Sequence, residues 1–153
     1  MNAADVLTLQ DLEFTTRKDW LVGFAVGDTA RERFDQLAPS SDRSATQKAL
    51  NELAELKAIR DTGETFPRIE FEELKAEIKL LPIQNASIQL EGFIRIHQAS
   101  VLVNSLLHFF DKREDDYPLL SELLSDAYYT KEIIEAIEKV FDKHGNVKDD
   151  ASE

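Results

Sequence analysis

The residues able to do chemistry in this 153-residue chain are three histidines, thirty carboxylates and a scatter of serines, with no cysteine. Without cysteine there is no disulfide framework, no thiolate zinc site and no cysteine nucleophile. His97 and His108, if helical, share one face but stand about 16 Å apart along the axis, too far to hold one metal ion. His144 falls in a turn-forming stretch. Each is therefore expected to be a hydrogen-bonded structural histidine rather than a ligand or catalyst. Carboxylates pair at helical spacing in Glu73/Glu77 and Glu132/Glu135. Acid–base or di-metal chemistry would need such pairs to face a closed cavity beside Glu-x-x-His motifs, which are absent, so a solvated acidic face is expected. Gly23, Gly27, Gly63, Gly92 and Gly145 lack the Walker A spacing that cradles phosphates, and no serine sits in a Gly-x-Ser-x-Gly elbow. The sequence thus assigns no catalytic, cofactor-binding or metal-ligating residue and does not identify nucleic-acid contacts. An autonomous enzyme is not expected.

Charge narrows the partners. The net charge is −12, and it is uneven: residues 1–60 carry 8 Lys/Arg against 10 Asp/Glu, whereas 61–153 carry 10 against 20. Autonomous nucleic-acid binding needs clustered cations to neutralise phosphates, so this chain by itself is not expected to bind DNA.

The elements that would position any site are helices. A chain of this length buries roughly 70% of its unfolded surface, and a hydrophobic fraction of 42% with nine Phe argues for a folded core. Five Gly and four Pro are few for a turn-rich β fold. The expectation is one all-α domain over residues 1–153, an irregular bundle of about seven helices. The N-terminus has neither a basic start nor an apolar run of signal-peptide length. The apolar stretch Leu90 to Phe110 carries Arg95, His97, Gln98, Asn104 and His108 and is too polar to span a membrane. The expected location is the cytoplasm.

Helices are expected over Thr15–Ala25, with Thr15 or Thr16 as cap; over Asp28–Leu37, capped by Asp28; and from Asp42 or Ser44 to about Arg60. In the third, Leu50, Leu53, Leu56 and Ile59 form a stripe expected to pack in the core. Phe71–Leu81 reads as a shorter helix ended by Pro82. The next, running to Phe110, has only Glu91 and Arg95 as full charges, which suits the centre of a bundle. Tyr117–Ser125 is a short helix. Lys131–Phe141 has apolar residues at Ile133, Ile134, Ile137, Val140 and Phe141, with Lys139, Lys143 and His144 suiting the dipole and Gly145 as left-handed cap. The only candidate for β structure is a small hairpin around Gly145, Asn146 and Val147.

Three stretches then line up: "DLEF" at 11–14, "LAPSSD" at 37–42 and "FDKHGNVKDDAS" at 141–152. Together they resemble the N-terminal part of the MutS family helical core, in the branch without the mismatch-reading and connector domains. The spacing from Phe14 to Pro39 agrees with that branch, and Asp142, Gly145, Val147, Asp149, Ala151 and Ser152 fall on its Asp-x-x-Gly-x-Val-x-Asp-x-Ala-Ser pattern. Ala30 and Gln89 depart from the usual Gly and capping Ser and leave the subfamily open. Phe71-Glu72-Glu73 matches the mismatch-reading Phe-x-Glu by chance, since that motif belongs on a strand of another domain.

The resemblance implies a longer parent whose C-terminal part is a dimerising ABC-type ATPase using ATP and Mg, with lever helices that engage DNA. That branch is associated with branched DNA and restraint of recombination, often with a small nuclease domain, and in some bacteria with stalled ribosomes. On this resemblance residues 1–153 are a non-catalytic core segment, partnered by the remainder of its own chain and by DNA through the full protein. The "DDASE" ending then reads as the N-cap, at Ser152, of a lever helix that follows. The alternative is a free-standing helical adaptor that binds a protein partner.

Overall fold

The computed structural model of the chain describes residues 6–142, 145–149 and 151. It is all-α, with eight helices and no extended strand among the described residues. The chain forms two compact units, 1–58 and 59–153.

The first unit holds α1 (Val6–Asp11), α2 (Phe14–Gly23), α3 (Asp28–Asp35) and most of α4 (Arg43–Asp61). Helix α1 is additional to the expected set. It is separated from α2 by Glu13, whose backbone is left-handed at φ 52° and ψ 31°. Thr15 and Thr16 therefore lie inside the first turn rather than capping it, because a backbone reversal makes the break in place of a hydroxyl. At α3 the cap position belongs to Gly27 at φ 81°, and Asp28 is the first helical residue, bonded to Arg31 at 3.0 Å. Helix α4 starts at Arg43, between the two expected starts Asp42 and Ser44, and Asp42 Oδ1 accepts the Ala45 N–H of its first turn at 2.9 Å. Helix α2 packs beside α3, and Lys18 Nζ donates to the Asp35 carbonyl at 3.1 Å.

Residues 8–58 include no buried position. Phe24 is 83% exposed, and Leu50, Leu53 and Leu56 are 55, 53 and 41% exposed. The α4 stripe is therefore not core as expected. Its three-residue spacing makes the helix amphipathic, but no other part of its unit lies over it. Only Ile59, which belongs to the second unit, is buried, at 1%.

The second unit is built on α6 (Leu90–Phe110), with α5 (Lys75–Leu80), α7 (Pro118–Glu122) and α8 (Lys131–Val140) around it. Its core joins Ile59 to Phe109, Phe110 and Tyr117, with Phe66, Leu120 and Leu124 packed against them. Phe66 meets Phe109 edge-on at 5.1 Å between centroids, a favoured aromatic geometry. The Arg113 guanidinium stacks 4.4 Å from the Phe109 centroid while donating to the Phe109 carbonyl at 2.8 Å and to Glu64 at 2.6 Å.

Helix α5 is shorter than the expected 71–81: residues 71–74 stay outside it, and Glu72 in that stretch reaches Arg95 at 3.7 Å. Helix α7 is likewise shorter than 117–125, with turns following Glu122. The strongly amphipathic α8 half-buries Ile134, Ile137 and Val140, while Ile133 remains exposed. It stops at Val140 because Phe141 turns extended, at φ −115° and ψ 145°, and forms an antiparallel bridge with Val147. Gly145, at φ 81°, thus serves a hairpin turn and not the cap of α8. Lys143, His144 and Ser152 lie outside the described residues. No helix among those described is long and apolar enough to cross a membrane.

Candidate functional site

The polar groups that the fold brings together converge on α6. Its first turns carry Gly92 and Arg95. Across from them α5 presents Glu77, which is only 4% exposed. Arg95 Nε donates to Glu77 Oε1 at 3.1 Å and Nη2 donates to the same oxygen, so one guanidinium edge grips one carboxylate oxygen. Glu77 Oε2 is buried without a partner. The Arg95 hydrogen bonds, aided by a backbone hydrogen bond and opposed by burial, hold the Glu77 carboxyl below its ordinary range. Gly92 leaves the space: a Cβ there would meet Glu77 Oε1 at 3.1 Å.

Glu77 therefore corrects the expectation of a solvated acidic face, since it is sequestered as the counter-ion of Arg95. Glu132 and Glu135 do face solvent, with Glu135 3.3 Å from Lys131. A signal for Glu77 was present: a lone arginine on a nearly charge-free helix needs a carboxylate from a neighbouring element.

Two residues further along α6, His97 Nε2 lies 2.9 Å from Glu138 Oε1 of α8. Lys148 Nζ donates to the Glu138 carbonyl at 2.6 Å, tying the hairpin to the same helix. These residues line a groove of about 590 Å³ with Ile94, Phe141 and Gly145. On the other side His97 borders an open groove of about 800 Å³ against the non-helical segment containing Arg68 and Phe71, in which Arg68 pairs with Glu70. His97 is thus hydrogen-bonded between helices, while His108 is exposed on the last turn of α6. Further along, Asn104 Oδ1 accepts both the backbone N–H and the hydroxyl of Thr130, at 2.9 and 3.1 Å, at the start of α8.

Chemically, these contacts hold helices together. Among the described residues no group of three or more His, Asp or Glu is arranged around a metal position.

No family profile matches the chain, and no solved structure is significantly similar to it. Curated relatives are found among full-length proteins. The chain is 27% identical over 149 residues to the endonuclease MutS2 of Symbiobacterium thermophilum, a match covering 97% of this chain and 18% of that protein. To the endonuclease MutS2 of Aquifex aeolicus it is 25% identical over 142 residues, covering 93% of the chain and 18% of the relative. To that of Bacillus velezensis it is 25% identical over 147 residues, covering 94% and 19%. The chain thus spans less than a fifth of the length of the relatives it matches, and over nearly all of its own length it is distantly similar to one segment of the MutS2 endonucleases.

Proposed function

We propose that this chain is a non-catalytic helical core segment of a MutS2-like DNA repair and recombination ATPase, and that it supports the lever helices coupling ATP state to DNA engagement. The observation that carries the proposal is the coverage: 93–97% of the chain aligns with only 18–19% of each relative. Two features support it. The polar contacts on α6 brace helix against helix, and unit 1 leaves apolar faces uncovered. In this reading ATP and Mg act in the remainder of a longer, homodimeric parent, and the mechanism is rigid-body: nucleotide-driven rearrangement moves the levers, and this segment fixes where they pivot. The endonuclease activity in the relatives' names would also belong to that remainder.

Two measurements test this. The genomic reading frame is expected to continue past Glu153 into a long helix and a Walker A loop; a stop codon there would favour the free-standing adaptor. The isolated chain, titrated against branched and duplex DNA at low salt, is expected to bind weakly or not at all, because its charge of −12 opposes phosphates. Tight binding with a steep salt slope contradicts the scaffold role.

A further inference from the structure

The chain does not leave α8 by a loose linker. After Val140 it doubles back, and the described residues of that hairpin, 141–142 and 145–149, are bonded both to one another and to the helices beneath. The bridge between Phe141 and Val147 is closed by two backbone bonds, from the Asp142 N–H to the Asn146 carbonyl at 2.8 Å and from the Lys148 N–H to the Val140 carbonyl at 2.9 Å. Asp142 Oδ1 accepts the Asn146 N–H at 2.8 Å across the turn. Three contacts then seat the hairpin. The Phe141 ring lies 5.6 Å from that of Phe93, and Lys148 Nζ donates to the Glu138 carbonyl at 2.6 Å. Gly145 is buried so close to α6 that a Cβ on it would fall 2.8 Å from Ile94 Cδ1. Glu138 is in turn held to α6 through His97 at 2.9 Å. A two-stranded hairpin is marginal by itself, so these seats are what hold its shape.

We propose that this hairpin is a stiff joint: it makes the residues that follow it part of the same rigid body as α6 and α8, and so sets the direction in which the chain continues. An unbonded connection would let the following segment spread over many directions. Here Phe141 and Gly145 lie against α6 and Lys148 is bonded to α8, so a swing about any one of them is opposed by the other two. Gly145 is the residue that the joint cannot exchange. Its φ of 81° suits glycine, and a side chain there would run into Ile94. The stiffness rests on contacts within unit 2 alone. Its use rests on the function proposed above: a lever that starts beyond the hairpin would move with α6 and α8 as one body, and its pivot would lie further along the chain.

The stiffness is read from the distance between two nitroxide labels. The chain has no cysteine, so His108→Cys and Asp149→Cys, both at exposed positions, place one label on α6 and one past the hairpin. Double electron–electron resonance is expected to give a single narrow distance distribution. Asp142→Ala combined with Lys148→Ala removes two ties without touching the core, and is expected to broaden that distribution at least about twofold, towards the spread of a flexible linker. Gly145→Val is expected to shift or broaden it as well, with helicity checked by circular dichroism; where Gly145→Val does not fold, the double variant decides. A broad distribution with the hairpin unaltered, or one left narrow by the double variant, overturns the joint.

The use of the joint is read separately, in the longer polypeptide. There the same double variant is expected to cut the stimulation of ATP turnover by DNA at least about fivefold, with turnover in the absence of DNA unchanged. Undiminished stimulation overturns the mechanical use, while the label distances still decide the stiffness. A reading frame that stops at Glu153 removes the scaffold function instead, and the label distances again decide the stiffness.

Discussion

Glu77 and Arg95 make the most consequential side-chain pair, because each is a charge that its own element cannot solvate. Arg95 stands on a helix with one other full charge, and Glu77 is buried with one oxygen unpaired. Removing either partner strands the other, so Arg95→Met is expected to lower the thermal midpoint more than Glu77→Gln, whose side-chain carbonyl can still accept from Arg95. The pH dependence follows in sign. Folding lowers the Glu77 pKa from its ordinary value of 4.5, so the pair's contribution is fully present above that pH and is lost as pH falls through the lower, folded-state value. Acid unfolding followed by circular dichroism should therefore be less steep in Glu77→Gln than in the parent chain. Two glycines give a contrast of the same kind. A Cβ at Gly92 would sit 2.6 Å from Ile88 Cγ2, whereas one at Gly23 meets nothing within 4 Å. Gly92→Ala is expected to destabilise by about 1–3 kcal/mol of overpacking, outweighing a helix-propensity gain of about 1 kcal/mol. Gly23→Ala, free of the clash, is expected to stabilise α2 by up to about 1 kcal/mol, and thermal melts of the two variants compare them directly.

At the scale of elements, α8 is docked on α6 by a side chain from the helix it joins. Thr130 precedes α8 and provides no capping bond of its own, and Asn104 of α6 receives its N–H and hydroxyl instead. Asn104→Ala should cost about 1–2 kcal/mol, as the loss of a cap does, and hydrogen exchange should accelerate over residues 131–140 before it does in α6. This contact also shows where sequence reading stopped. The α8 helix was legible because its apolar residues recur at helical spacing, and α6 was legible because it is nearly free of charge. Both patterns report a single element's own periodicity. Asn104 with Thr130 and Glu77 with Arg95 lie 26 and 18 positions apart, and nothing in local spacing links them. The boundaries that shifted have the same origin. Helix α5 begins late where Glu72 reaches α6, and α8 ends early where Phe141 pairs with Val147 and stacks 5.6 Å from Phe93. The α4 stripe failed in the opposite direction. Its period is genuine, yet amphipathicity only states that a face needs covering, and not that this chain covers it.

At the scale of the whole molecule, the two units differ in what holds them. The second has a buried cluster of Ile59, Phe109, Phe110 and Tyr117 reinforced by ion pairs and ring contacts. The first has no buried residue between 8 and 58 and relies on local helix formation and half-covered side chains such as Phe34. Short helices gain most of their stability from packing an apolar face rather than from propensity, and α2 and α3, of 10 and 8 residues, lie below the length at which isolated helices persist. Opening free energy should therefore be unequal along the chain. Native-state hydrogen exchange is expected to find the amides around Phe109 and Phe110 slowest and those of α2 and α3 at least about a hundredfold less protected, since local opening there exposes no core. Uniform protection across both units would instead mark a single cooperative domain and contradict the weakness assigned to unit 1. If the exposed apolar side chains of unit 1 are covered by the remainder of a longer parent, protection in unit 1 should rise in that parent while protection around Phe109 changes little. The contrast between the two units in isolation would then measure how much of this segment's structure depends on the chain around it.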